Sequence, residues 1–118
     1  MRKAYIAGGA HTKFIGKFHP DFIWKKHPDF GKKENPNLEH YVQRAGMQAL
    51  GDTGASPADV ERAFVGNFTG ELFDSQGHLG AALAAADPAL GGKPIVRLEG
   101  ACASGGLALA PGVAAIRA

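Results

Sequence analysis

Hydrophobic positions along this chain repeat with two different periods. Over residues 38–50 (LEHYVQRAGMQAL), Leu38, Tyr41, Val42, Ala45 and Ala49 recur at helical spacing, which predicts an amphipathic helix. Asn35–Pro36 or Asn37 supplies its start signal, and Gly51 and Gly54 supply its stop. Three short apolar runs bounded by turn residues predict strands: 3–7 (KAYIA), 63–68 (AFVGNF) and 94–98 (PIVRL). Between the last two, 77–86 (GHLGAALAAA) predicts a small-residue helix that stops before Asp87–Pro88. Ser56-Pro57-Ala58-Asp59 has the composition of a capped helical turn. A last helix is expected to start near Cys102, with a kink or turn at Ala110-Pro111-Gly112.

The predicted order is strand, helix, strand, helix, strand, helix. Such alternation implies an α/β fold, with a mostly parallel sheet joined by right-handed crossovers. Ligands in such sheets usually bind beyond the carboxyl ends of the strands. Cys102 falls just past the end of the third predicted strand.

Residues 10–36 read as loop. They contain a short duplication, HPDFIWKK at 19–26 and HPDFGKK at 27–33, too brief for a solenoid. Phe22, Trp24 and Phe30 are its expected aromatic anchors. His19 and His27 lack a third ligand at sensible spacing, so no metal site is expected. Charge sharpens the contrast between this segment and the rest. Residues 1–33 carry eight Lys or Arg against two Asp, net +6, while residues 34–118 are net −4. The basic part suits either an anionic partner or a solvated loop. No groove-reading helix or basic-aromatic module accompanies it, so no nucleic-acid partner is expected. A chain of 118 residues has the size of one domain. No apolar run is long enough to span a membrane, and a single cysteine fits a reducing, cytoplasmic setting.

The stretch VRLEGACASGGLAL, residues 96–109, holds that cysteine. A thiol is a nucleophile as its thiolate, and free N–H groups at a helix start favour negative charge. The same N–H groups can hold the oxyanion formed when sulfur attacks a carbonyl. Gly100, Ala101, Ala103, Gly105 and Gly106 leave room for a thioester to approach. Residue chemistry alone leaves two readings open: a nucleophile, or a small buried hydrophobe under tight packing.

Glu99-Gly100-Ala101-Cys102-Ala103-Ser104-Gly105-Gly106-Leu107 resembles the nucleophilic-cysteine motif of thiolases. Residues 7–14 (AGGAHTKF) with Gly16-Lys17-Phe18 resemble the thiolase opening. Val65-Gly66-Asn67 and Gln76-Gly77-His78 are similar to the sterol-carrier-protein-linked branch. The resemblance implies a thiolase-like fold, with residues 1–118 as a partial N-terminal βαβαβα half and 19–33 as a basic loop insertion. It implies Cys102 as the acyl-carrying nucleophile, with its backbone N–H as one oxyanion donor. Acyl-CoA thioesters would be the substrates, with no resident cofactor and no metal. The base and the second cysteine of such a reaction lie in a C-terminal half. The expected partners are therefore a complementary C-terminal chain or further copies in a homo-oligomer. His78 has no role implied by the resemblance.

Two other readings stand beside a thiolase-type acyltransferase segment. One is a non-catalytic fragment or assembly partner that keeps the fold. The other is a segment of a ketoacyl synthase-like condensing enzyme. In each, Leu79, Leu83, Leu107, Leu109 and Ile116 need apolar surface to pack on, and the sheet has an unpaired edge.

Overall fold

A computed structural model describes residues 2–118. Helix α1, Leu38–Thr53, starts where the asparagine signal placed it: the Asn37 side chain accepts the His40 N–H at 2.9 Å. It ends at Gly54, whose φ of 72° suits glycine and whose N–H closes on the Gly51 carbonyl. Strands β1, Ala63–Gly66, and β2, Ile95–Leu98, pair in parallel, with Ala63 opposite Ile95 and Gly66 opposite Leu98. Between them lie the short helices α2, Gly70–Asp74, and α3, Leu79–Ala84. After β2 comes a 3-10 turn, Ala101–Ala103, and then α4, Ser104–Arg117. The fold is α/β, with one parallel two-stranded sheet and helices packed on it.

Helix α3 forms the centre. It packs against α1 and both strands, and it supplies Leu79, which is fully buried, and Ala82. Leu90, from the turn before β2, completes the apolar core among the described residues. Gly80 lets α3 meet the sheet backbone to backbone, because an added methyl there would collide with the Ile95 carbonyl. Lys93 ties the starts of the two strands together. Its ammonium donates to the carbonyls of Pro57, Ala58 and Val60, at the end of the 3-10 turn Pro57–Asp59.

Four expectations about the sheet and its helices change. Residues 3–7 form no strand, so the sheet has two strands and not three. The segment is held at its end and not along a ladder: the Gly9 N–H donates to Asp52 Oδ2 at 3.1 Å, at the tail of α1. Tyr5 and Ile6 stay 77% and 87% exposed, so little burial offsets the entropy of ordering a strand. Between this segment, β1 and α4 lies a cleft of about 430 Å³, lined by Ile6, Phe64, Leu109, Val113 and Ile116. Second, α4 continues through Pro111 without a break. Its packing along β1, with Gly112 beside the Phe64 ring, holds the helix where one backbone bond is lost. Third, the expected 77–86 helix is shorter, because Gly77 accepts from Arg97 and His78 only caps α3. Fourth, Leu79 is buried inside the chain, whereas Leu107, Leu109 and Ile116 remain exposed.

The 19–33 duplication is also a structural one. In each copy the histidine Nδ1 accepts the N–H of the aspartate two residues on: His19 from Asp21 and His27 from Asp29, both at 3.1 Å. Each aspartate then pairs with a lysine, Asp21 with Lys13 at 3.0 Å and Asp29 with Lys33 at 2.9 Å. The two histidines thus act as turn acceptors. Asn35 closes the base of the loop through two bonds to the Ile23 backbone. Phe22 and Trp24 are half-buried, but Phe30 is exposed and anchors little.

The Ser56 cap yields a prediction. Asp59 is held below its ordinary value of 3.8, first by the Ser56 backbone N–H and then by its hydroxyl, which both donate to the carboxylate. A depressed carboxyl contributes stability above its unfolded value, and that contribution is lost as pH falls through the lower folded value. A carboxyl-carbon NMR titration is expected to place the Asp59 midpoint under 3.8. Ser56→Ala is expected to move it only part of the way back, since the backbone bond remains.

Candidate active site

The end of β2 delivers the chain to Glu99-Gly100, past the carboxyl edge of the sheet. Pairing continues one step further there, with the Asn67 N–H donating to the Leu98 carbonyl at 3.0 Å. The chain then reverses sharply. Ala101 takes a left-handed conformation, φ 48°, a position that costs a non-glycine residue on the order of 1–3 kcal/mol. Two side chains hold it. The Glu99 carboxylate accepts the Ala101 N–H at 2.6 Å. The buried Ser104 hydroxyl accepts the Gly100 N–H at 3.0 Å and donates to the Ala101 carbonyl at 2.7 Å.

Cys102 sits at the crest of this turn, exposed, immediately before α4. In this chain the cysteine is therefore not part of the buried core. The N–H groups of Gly100, Ala101 and Ala103 each have an acceptor. Among the described residues the Cys102 N–H has none, and it lies at the start of a fourteen-residue helix. A bare N–H in that place is suited to an anionic oxygen.

Beneath the turn, β1 meets α4 at backbone distance. A methyl added to Gly66 would collide with the carbonyl group of Ser104. Gly66 is therefore required by packing, and it sets how far the first turn of α4 stands from the sheet.

The sequence alone does not mark Arg97 as a structural residue. This arginine projects from β2 and holds the segment that follows β1. Its guanidinium donates to Glu71 Oε2 at 2.9 Å and to the Gly77 and Phe68 carbonyls, both at 3.3 Å. The available signal was a single charge inside the apolar run 94–98, since a charge in a half-buried strand calls for partners. α2, which supplies Glu71, is five residues long and too short to show a period. His78 caps α3 as an exposed residue, and its N–H donates to Gln76 Oε1 at 2.8 Å. No hydrogen bond links it to Cys102. Among the described residues no side chain hydrogen-bonds the Cys102 sulfur, and no group of three metal-ligating residues is present. Among the described residues no helix is long and apolar enough to cross a membrane.

Ser104 gives this turn a specific weakness. Ser104→Ala removes both bonds of a buried hydroxyl and leaves the Gly100 N–H without its acceptor. A loss of about 1–3 kcal/mol is expected in urea denaturation. Ser104→Thr is expected to lose less, because it retains the hydroxyl.

No protein-family model matches the chain. Curated proteins do resemble it, two of them acetyl-CoA acetyltransferases. The acetyl-CoA acetyltransferase of Methanothermobacter thermautotrophicus is 41% identical over 75 residues, which cover 64% of this chain and 19% of that protein. The acetyl-CoA acetyltransferase of Methanocaldococcus jannaschii is 40% identical over 68 residues, covering 58% of this chain and 17% of that protein. The match thus spans less than a fifth of the length of either relative. This similarity to two acetyl-CoA acetyltransferases, joined to an α/β fold with a parallel strand pair, supports a relationship to the thiolase family.

Proposed function

We propose that this chain is the acyl-accepting segment of a thiolase-type acyltransferase, with Cys102 as the nucleophile and its backbone N–H as one oxyanion donor. The observation that carries this reading is the exposed Cys102, set in a strained, side-chain-stitched turn at the carboxyl edge of the sheet.

In the first step the Cys102 sulfur attacks the carbonyl carbon of an acyl-CoA thioester. The carbonyl oxygen gathers negative charge and takes the Cys102 N–H. Collapse expels the coenzyme A thiolate, which takes up the proton the cysteine gave, and leaves the acyl group on sulfur. In the second step the α-carbon of another acyl-CoA loses a proton and attacks that acyl carbon. The carbon–carbon bond forms, the carbon–sulfur bond breaks, and 3-ketoacyl-CoA leaves. Thiolysis is the same sequence reversed. Both proton transfers need a positioned base. No described residue is bonded to the sulfur, so this reading assigns the base to a complementary C-terminal half or a partner chain. Acyl-CoA is substrate here, and the reaction requires no resident cofactor.

The unbonded sulfur also favours a second reading, a non-catalytic assembly piece that keeps the fold. Isotope exchange separates the two. The protein isolated under mild conditions from its own host, with whatever chains accompany it, is incubated with acetyl-CoA and labelled coenzyme A. The acyltransferase reading predicts label entering acetyl-CoA, with exchange falling at least about a hundredfold in Cys102→Ser. Exchange unchanged by that substitution would overturn the assignment of Cys102. Absence of exchange in the isolated wild-type assembly would favour the assembly piece.

A further inference from the structure

The 13–33 loop carries a chemistry that acyl transfer does not use. It holds six lysines, Lys13, Lys17, Lys25, Lys26, Lys32 and Lys33, against two acids, Asp21 and Asp29. Both acids are already paired, with Lys13 and Lys33. Lys17, Lys25, Lys26 and Lys32 enter no ion pair among the described residues. Large aromatic side chains stand out between these charges. Phe14 is 90% exposed, Phe18 72% and Phe30 58%. Lys17 lies over both the Phe18 and Trp24 rings, at 5.0 and 5.5 Å, so cation and aromatic surface are presented together. The loop also has a rigid frame. The two His-Asp turns, the two Lys–Asp pairs and the Asn35 clasp fix its path, so these side chains are displayed by an ordered scaffold.

Exposed phenylalanines cost free energy in water, and unpaired lysines repel each other, so together they mark a surface shaped by a partner. The partner must be anionic and must accept protruding apolar side chains. Nucleic acid answers the charge. It gives a phenylalanine a place only where bases are splayed for stacking. A folded acidic protein would need pockets for three separated rings. The interface of an anionic bilayer answers both demands over an irregular surface: lysines lie at the headgroups, while aromatic rings enter the boundary region beneath.

We infer that the 13–33 loop docks the protein peripherally on an anionic lipid surface, with Phe14 and Phe18 inserting and Lys17, Lys25, Lys26 and Lys32 bound to the headgroups. This inference is independent of the acyltransferase reading.

Vesicle co-sedimentation of the full chain tests it. The probes are phosphatidylcholine vesicles, with and without phosphatidylserine. The expected result is sedimentation with the anionic vesicles, little with phosphatidylcholine alone, and release by salt, which screens exposed charges. Lys25→Glu with Lys26→Glu is expected to weaken the apparent affinity at least about tenfold. Phe14→Ser with Phe18→Ser is expected to weaken it comparably, with far-UV circular dichroism unchanged because both side chains are exposed. Equal sedimentation with neutral vesicles would overturn the proposal. So would binding that needs the lysines but ignores the phenylalanine changes. That outcome would assign the loop to a polyanion such as nucleic acid, which competition with single-stranded RNA would identify.

Discussion

The backbone contact between Gly66 and Ser104 is the constraint on which the candidate site depends. At the end of β1 there is room for no side chain, because the first turn of α4 occupies that space. The contact fixes α4 against the sheet, and the Ser104 hydroxyl on the same turn reaches back to Gly100 and Ala101. One residue therefore transmits the position of the sheet to the turn that displays Cys102. The left-handed Ala101 is tolerable only because these bonds over-determine it. The result is a thiol lifted clear of the core, beside a backbone N–H with no internal partner. Sharp strand-to-helix turns present nucleophiles in this way in α/β-hydrolases.

The same structure leaves much of the chain uncovered. It exposes 8284 Å², whereas a compact monomer of 12.3 kDa exposes about 6,100 Å². Its radius of gyration is 16.0 Å, against about 13.5 Å for a compact domain of this length. The excess, about 2,200 Å², is more than the 800 Å² or so that one partner contributes to an ordinary stable interface. Leu109, Val113 and Ile116 on α4, with Ile6 beside them, line an apolar cleft that no described residue fills. A chain matching less than a fifth of its relatives presents such surface where further polypeptide would pack. This surface and the sulfur with no hydrogen-bonded side chain both support the proposed reading, in which acyl transfer needs more protein than these residues.

What was legible in the sequence followed from periodicity and caps. The α1 pattern, the Asn37 cap, both strands of the sheet and the Ser56 turn stand where local rules put them. So does the place of Cys102 beyond a strand and before a helix. The failures are cases in which tertiary context decided. Residues 3–7 have strand composition, but their end is fastened to Asp52 and they never pair. Pro111 signals a kink or turn; the turn does not form, and α4, packed on β1, runs through it. Arg97 looked like one charge in a strand, and its role appears only when Glu71, Phe68 and Gly77 converge on it from a segment with no period of its own. The stitching by Glu99 and Ser104 belongs to the same class, since neither residue type announces a hydrogen bond to a particular backbone atom.

Native mass spectrometry of the protein from its own host, before and after adding acetyl-CoA, tests the central claim most directly. The account predicts a particle containing additional polypeptide in fixed stoichiometry, and an acetyl-sized mass gain on this chain that maps to Cys102. A stable, solitary 118-residue monomer that takes up no acetyl group would contradict it.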